Sequence, residues 1–454
     1  MSDLPDCIKR AERARLFPIL AETSKEGRTL SIFLATLAKV RELRENLLKA
    51  IGQPPGKTGK LRCYTEIEFK CARREPDLGR PDGLLVLDKW GKRWTALVEA
   101  KVGKEEISAP QLERYLELAK KNRLDAVITI SNQFSAVPQH HPLQANIKRY
   151  GPVELFHFSW MHILTEADLL VQNKEVGDDD QAYVLSEFRR FISHDSAGVQ
   201  NFKQMPHEWS ELLTKVKAGG TPQDSLLVHA VAEAWQQEAR DLCLTLSRQL
   251  QQPVRQRLSW GAKNDPQIRF ADDVASLCDE QRLEVEIDIP DAASPLLVTL
   301  DLRRRSILVS MKLKAPRDRK SSRARLNWLL RQIPQETEAE KHIHIRCQWP
   351  ATSPDSQFTL SDLRDDPDRI QDDKGKMQVT GFEVIWLTDL GHRFEQRRTL
   401  INELEEAVPA FYEHVGQHLK AWQPRAPKMK EERSQPEQVS PQAISLTAED
   451  GAIE

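Results

Sequence analysis

Long apolar runs are missing from this sequence. Stretches such as Leu84 to Leu87 and Leu296 to Leu300 fall far short of the roughly 20 residues that a bilayer crossing needs. A membrane span is therefore excluded and no membrane partner is expected. The first residues, MSDLPDCIKRAERARLF, carry charges throughout and have no apolar centre, so they do not read as a secretion signal. Cysteine is scarce. Six are scattered over 454 residues, none in a C-x-x-C pair, which argues against a structural zinc site and against a disulfide framework. A cytoplasmic protein is the expectation. Glycine (19) and proline (26) recur without a period, which excludes a collagen-like or low-complexity chain. An excess of one charge is also missing. Lys and Arg number 66, Asp and Glu 68, for a net charge of -2. The chain is no bulk polycation, so any nucleic-acid contact must come from a local patch.

What is present is enough apolar material, 39% of residues, for real cores. At roughly 150 residues per domain, the length suggests two or three domains. Residues 27 to 51 carry Leu30, Phe33, Leu34, Leu37, Val40, Leu43, Leu47 and Leu48 at helical spacing, and Pro54-Pro55-Gly56 ends that helix. Strand-like runs follow at Leu61 to Phe69, Pro81 to Leu87 and Trp94 to Val98, the last two joined by the turn Lys89-Trp90-Gly91-Lys92. A helix over Ala109 to Arg123, strands at Asp125 to Ser131 and Val153 to Ser159, and a helix over Trp160 to Val171 complete an α/β region. Residues 1–172 thus read as one α/β domain with a mixed sheet flanked by helices, and 173–222 as a helical connector. Residues 223–423 read as a second α/β or α+β domain. Residues 424–454, rich in Pro, Gln, Ser and Glu without periodicity, read as a disordered tail.

One stretch stands out: GRPDGLLVLDKWGKRWTALVEAKVGKEEISAPQLERYLELAK. Residues two apart on a strand share a face, so Glu99 and Lys101 point together with Ala100 opposite. Asp82 begins the neighbouring hairpin strand and can approach Glu99 across the ladder. Two carboxylates and an ammonium would then meet at one sheet edge. Hard cations such as Mg²⁺ take carboxylates, waters and substrate phosphate as ligands. Asp82 and Glu99 could supply the carboxylates, and the Ala100 carbonyl a further oxygen. Lys101 could orient the attacking water or stabilise charge on a phosphodiester.

These residues resemble the PD-(D/E)xK nuclease superfamily. Pro81-Asp82 is followed by Glu99-Ala100-Lys101, with sixteen residues and a hairpin between Asp82 and Glu99. Gln111 and Tyr115 form a Q-x-x-x-Y one turn apart on one helix face, similar to the extra motif of the RecB-like exonuclease branch, as are Gly79-Arg80 before Pro81 and Gly103 after the lysine. The resemblance covers about residues 27–170. It implies a restriction-endonuclease-like fold and a metal-dependent cut of DNA with Mg²⁺ or Mn²⁺, with Gln111 and Tyr115 beside the metal site. It also implies a further acid upstream. Glu42 and Glu45 on the preceding helix, and Glu66 and Glu68 on the preceding strand, are all candidates, and Glu68 or Glu66 is favoured because that strand leads straight to the Asp82 hairpin. By analogy such an enzyme would serve bacterial defence, restriction or repair. The alternative is a non-catalytic nucleic-acid-binding or assembly module on a degenerate nuclease fold.

Elsewhere, Arg303 to Arg331 holds eleven cations against the single acid Asp318, about +10 locally. Arg303, Arg304, Arg305, Lys312 and Lys314 are its candidate phosphate contacts. A homo-oligomer or partner protein is equally open for the second region. His140, His141 and His157 lack ligand spacing. Gly56-Lys57-Thr58-Gly59-Lys60 lacks the spacing of a nucleotide-binding loop.

Overall fold

The computed structural model describes residues 4–18, 25–70, 79–143, 151–335, 338–351, 353–372 and 374–424. From residue 425 onward, the expected tail lies outside the described residues.

The first elements are strand β1 (Ile8–Arg13), helices α1 (Lys25–Lys39) and α2 (Arg41–Ala50), and strands β2 (Lys60–Phe69), β3 (Gly83–Lys89) and β4 (Lys92–Ala100). Helix α3 (Ala109–Lys121), strands β5 (Ala126–Ser131) and β6 (Glu154–Ser159), and helices α4 (Trp160–Gln172) and α5 (Asp179–Ile192) follow. The six strands form one sheet in chain order. β1 to β4 pair antiparallel, and β4, β5 and β6 pair parallel. The crossover that parallel pairing requires between β4 and β5 contains α3.

β3 is buried on both faces, as its continuous Leu84-Leu85-Val86-Leu87 run requires. Leu85 and Leu87 pack with α1, α2, α4 and α5, while Leu84 and Val86 pack with Leu112, Tyr115 and Leu116 of α3. The single helix expected over 27 to 51 is two. Val40 is extended (φ −84°, ψ 115°) and separates α1 from α2. An unbroken helix of that length drifts off its apolar stripe. The break lets Leu30 to Leu37 and Leu43 to Leu48 each face the sheet, and the Gln181 side chain accepts the freed Arg41 N–H at 2.9 Å.

The second part comprises α6 (Glu208–Lys217), α7 (Leu226–Leu250), β7 (Arg255–Gln256), α8 (Trp260–Asn264), α9 (Pro266–Asp279) and β8 (Arg282–Asp288). β9 (Leu296–Asp301), β10 (Ser306–Lys314), α10 (Ser322–Leu330), β11 (Ile343–Gln348), β12 (Ser356–Thr359), α11 (Leu360–Asp365), β13 (Gly381–Asp389) and α12 (Arg397–His414) complete it. Its seven strands run β12-β11-β13-β10-β9-β8-β7, all antiparallel. Alternate residues such as Leu283, Val285 and Ile287 enter a core shared with α7 and α12. The whole is an α/β protein with one mixed and one antiparallel sheet.

Of the stretch 173–222, α5 places Leu185, Phe188 and Ile192 in the first core, and α6 places Trp209, Leu212 and Leu213 in the second. α7 also meets α4 of the first part. Arg240 lies 2.7 Å from His162 Nδ1, and Arg248 donates to Thr165 Oγ1 at 2.9 Å. Among the described residues, no helix is long and apolar enough to cross a membrane.

Candidate metal centre

The meander brings Asp82 to the start of β3 and Glu99 to the end of β4. Gly83 beside Asp82 is bare for a reason. A Cβ there would stand 2.9 Å from Leu34 Cδ1 of α1 and 3.3 Å from Val98 Cβ of β4. The missing side chain lets α1 lie close on the sheet, and the first turn of α1 carries Glu26. Glu26, Asp82 and Glu99 each offer a carboxylate oxygen, all within 4.8 Å of one another. Among the described residues they are the one group of three acidic, histidine or cysteine side chains that converges in this way.

Lys101 shares the face of Glu99 as expected. Its Nζ lies 3.0 Å from Glu99 Oε1 and 2.9 Å from Glu26 Oε1. The chain after it is fixed, because Trp160 donates its indole N–H to the Lys101 carbonyl at 2.8 Å. The Ala100 side chain is buried, and its N–H donates to Asp82 Oδ2 at 2.9 Å. Helix α3 starts at its Ser108 cap, whose Oγ accepts the Gln111 N–H. That start aims Gln111 at the cluster, where its Nε2 donates to Glu99 Oε1 at 2.5 Å. Tyr115, one turn on, lies 3.4 Å from Gln111 Nε2 and donates to the Arg80 carbonyl at 3.3 Å. Asp82, Glu99, Lys101, Gln111 and Tyr115 are therefore assembled in one place.

Glu68 is not. It sits on β2 facing β1, paired with the exposed Lys9 at 2.6 Å. Glu66 is exposed at an irregularity of the β1–β2 pairing, with φ +52°. Glu45 pairs with Arg41 on α2, and Glu42 also belongs to α2, outside the converging group. The acid from upstream in the chain that joins Asp82 and Glu99 is Glu26, which was not among the four candidates. Glu26 lies four residues before Leu30 and shares its helix face, but what brings it to the cluster is the packing of α1 on Gly83.

Electrostatics follow from crowding acids out of water. Burial first, and then the facing Glu99, push Asp82 up to about 7. Burial also raises Glu99 and Glu26 above the usual carboxylate range. Burial works against the Lys101 charge, yet Glu99 and Glu26 outweigh it and hold the ammonium above the ordinary lysine value. Burial raises Tyr115 to about 12, so its hydroxyl stays protonated. Glu99 is 2% exposed, and its Oε2 is buried with no hydrogen-bond partner. An orphaned carboxylate oxygen is costly. Three converging carboxylates are the donor set a hard divalent cation takes, so the residues present fit such an ion.

The other candidates lie apart. His141 and His157 meet, but through Thr129. The Leu143 N–H donates to His141 Nδ1, and His157 Nε2 faces the Gln133 carbonyl. This fixes one chain of donors: His141 Nε2–H to Thr129, Thr129 to His157 Nδ1, and His157 Nε2–H to Gln133. Both rings are spent on hydrogen bonds inside the core, and burial lowers His157 to about 4. Of the basic run of the second part, Arg304 and Lys312 line one pocket on the second sheet together with Arg282 and Arg346. Arg303 to Arg305 form the β9–β10 turn, where Arg303 donates to Gln281 and Arg305 pairs with Glu395. Lys312 and Lys314 stand exposed at the other end of β10, ~20 Å or more away at a strand's rise per residue. Arg323 pairs with Asp368, and Arg325 donates to main-chain carbonyls.

Compared with known proteins, the chain matches no family model, no curated protein and no solved structure.

Proposed function

We propose that this protein is a metal-dependent deoxyribonuclease of the PD-(D/E)xK type, acting in DNA defence, restriction or repair. The observation that carries the reading is the convergence of Glu26, Asp82 and Glu99, with Lys101 bridging two of them. Glu26, Asp82 and Glu99 would hold Mg²⁺ or Mn²⁺, with the Ala100 carbonyl as a further oxygen. The cation, when bound, would lower the pKa of water and polarise the phosphate.

The chain's own groups do the rest. Gln111 holds Glu99 in its rotamer through a short hydrogen bond. The Ala100 N–H holds Asp82. Lys101 stays charged because Glu26 and Glu99 flank it, so it can orient a water and neutralise charge developing on a phosphodiester. Tyr115 keeps its proton and can donate to a phosphate oxygen. The experiment is cleavage of linear and covalently closed DNA with Mg²⁺ or Mn²⁺, wild type beside Lys101→Ala. Metal-dependent cutting that Lys101→Ala abolishes is the expected result. Cutting that survives in the variant would overturn the reading.

A further inference from the structure

The hairpin joining β3 and β4 ends in a two-residue turn, Trp90-Gly91, between the paired Lys89 and Lys92. Both turn residues have positive φ, +50° for Trp90 and +73° for Gly91. That is the primed turn in which Asn-Gly is the favoured pair. A tryptophan is poorly suited to it, since a bulky side chain in the left-handed region is strained. Nor is this tryptophan sheltered, for it is 70% exposed. An outlier of this kind, kept on a solvent-facing tip, calls for a use outside the fold.

The neighbourhood says what use. The loop Gly56-Lys57-Thr58-Gly59-Lys60 lies against the tip. Gly56 has φ +66°, and a Cβ on it would stand 3.4 Å from the Trp90 ring. The ring therefore lies along bare backbone on one side. Lys89 Nζ sits 5.5 Å from the ring centroid and is held by the Gln53 side chain at 2.8 Å. Lys57, Lys60 and Lys92 are exposed, and their side chains make no ion pair or hydrogen bond among the described residues. The local acid, Asp88, is already shared by Arg62 and Arg93. One lysine thus lies over the exposed aromatic ring, and three more stand exposed on the two segments that meet at this tip, in a chain whose overall charge is -2.

We propose that this hairpin tip is a binding site for single-stranded nucleic acid, with Trp90 stacking on a base and Lys57, Lys60, Lys89 and Lys92 flanking the phosphate chain. Stacking on an aromatic within a positively charged track is how sequence-tolerant single-strand binding works. Base stacking distinguishes this ligand from an acidic peptide or a lipid surface, to which the lysines alone would suffice. The tip stands at the opposite end of β3 and β4 from Asp82 and Glu99, ~25 Å away by strand rise. It is therefore a separate contact and not part of the metal centre, and it does not depend on the nuclease reading.

The test is fluorescence-anisotropy binding of a labelled 20-nucleotide oligo-dT to the full chain in EDTA, where cleavage plays no part. Trp90→Asn is the main variant, because asparagine suits this turn and the hairpin should fold at least as well. The expected result is a loss of affinity of about tenfold or more for Trp90→Asn, with Trp90→Phe retaining most of it. Lys57→Gln with Lys92→Gln should also flatten the salt dependence by about 1.4, from ~0.7 per phosphate contact. Unchanged oligo-dT binding in Trp90→Asn, or no binding by the wild type, would overturn the proposal. So would anionic vesicles or poly-glutamate competing with the oligonucleotide with the same Trp90 dependence. If cleavage fails in every assay while Trp90-dependent binding persists, the metal-centre reading falls and this one stands.

Discussion

The protein buries acids in two places. In the first part, Glu26, Asp82 and Glu99 gather at the sheet edge. In the second, Glu238 and Asp241 of α7 lie near Glu405 of α12. Glu238 is 0% exposed with both carboxylate oxygens unpartnered. Asp241 accepts the Phe202 N–H at 2.7 Å. Burial, and then the neighbouring acids, push Glu238 well above the carboxylate range, and burial raises Asp241 to about 7. By burial alone the second group is the more extreme. Among the described residues it is not a group whose ligand atoms converge, and no lysine bridges its acids. Perturbed titration is therefore a poor guide by itself. Convergence, a bridging cation and an orienting glutamine separate a site from acids kept neutral in a core.

The sharpest way to break that comparison is to remove the convergence. Glu99→Ala takes away the carboxylate that Lys101 and Gln111 both hold. Cleavage should fall by at least ~10³, on the scale of losing a principal electrostatic group. Glu238→Gln should leave cleavage within about twofold. Equal losses in the two variants would show that the difference drawn between the regions is false.

Next in size is the upstream acid. Glu26→Gln should lower activity about 10- to 100-fold and weaken Mn²⁺ binding by titration calorimetry, because it removes one of three ligands. Glu68→Gln should change neither, since its partner is Lys9 on the exposed β1–β2 ladder. The reverse order would restore the expectation drawn from the sequence.

That pair of residues shows where sequence reading succeeds and where it stops. The α/β architecture was legible because period-2 and period-3.6 patterns are local, and β2 to β6 fall where alternating or continuous apolar runs put them. Glu99, Lys101, Gln111 and Tyr115 were legible because strand and helix spacing dictates which neighbours share a face. Asp82 was legible because a hairpin has one register. Glu26 approaches through α1 packing on Gly83, a long-range contact that no local period encodes. β1, reading Ile-Lys-Arg-Ala-Glu-Arg, is an edge strand too polar to announce itself. The exposed lysines around Trp90 come from two segments thirty residues apart, so no window contained them together.

A smaller effect concerns pH. With no metal bound, folding favours protonated Asp82, whose value rises from the ordinary ~4 to about 7. A raised carboxylate value means that the stability contributed is full below pH ~4 and is lost as pH climbs through about 7. The thermal midpoint in EDTA should therefore decline across that window. Asp82→Asn cannot deprotonate, so its midpoint should lie a few degrees higher at pH 8, on the scale of ~1 kcal/mol. Metal competes with the same proton, so Mn²⁺ affinity of the wild type should climb between pH 6 and 8, and added Mn²⁺ should erase the wild type's deficit. Asp241 titrates near the same value, so part of the decline in EDTA belongs to the second region. Asp241→Asn removes its own share of that part and leaves the metal-dependent part intact. If Asp241→Asn instead abolished the Mn²⁺ stabilisation, the ion would belong to the α7 acids, and the two regions would have to exchange roles.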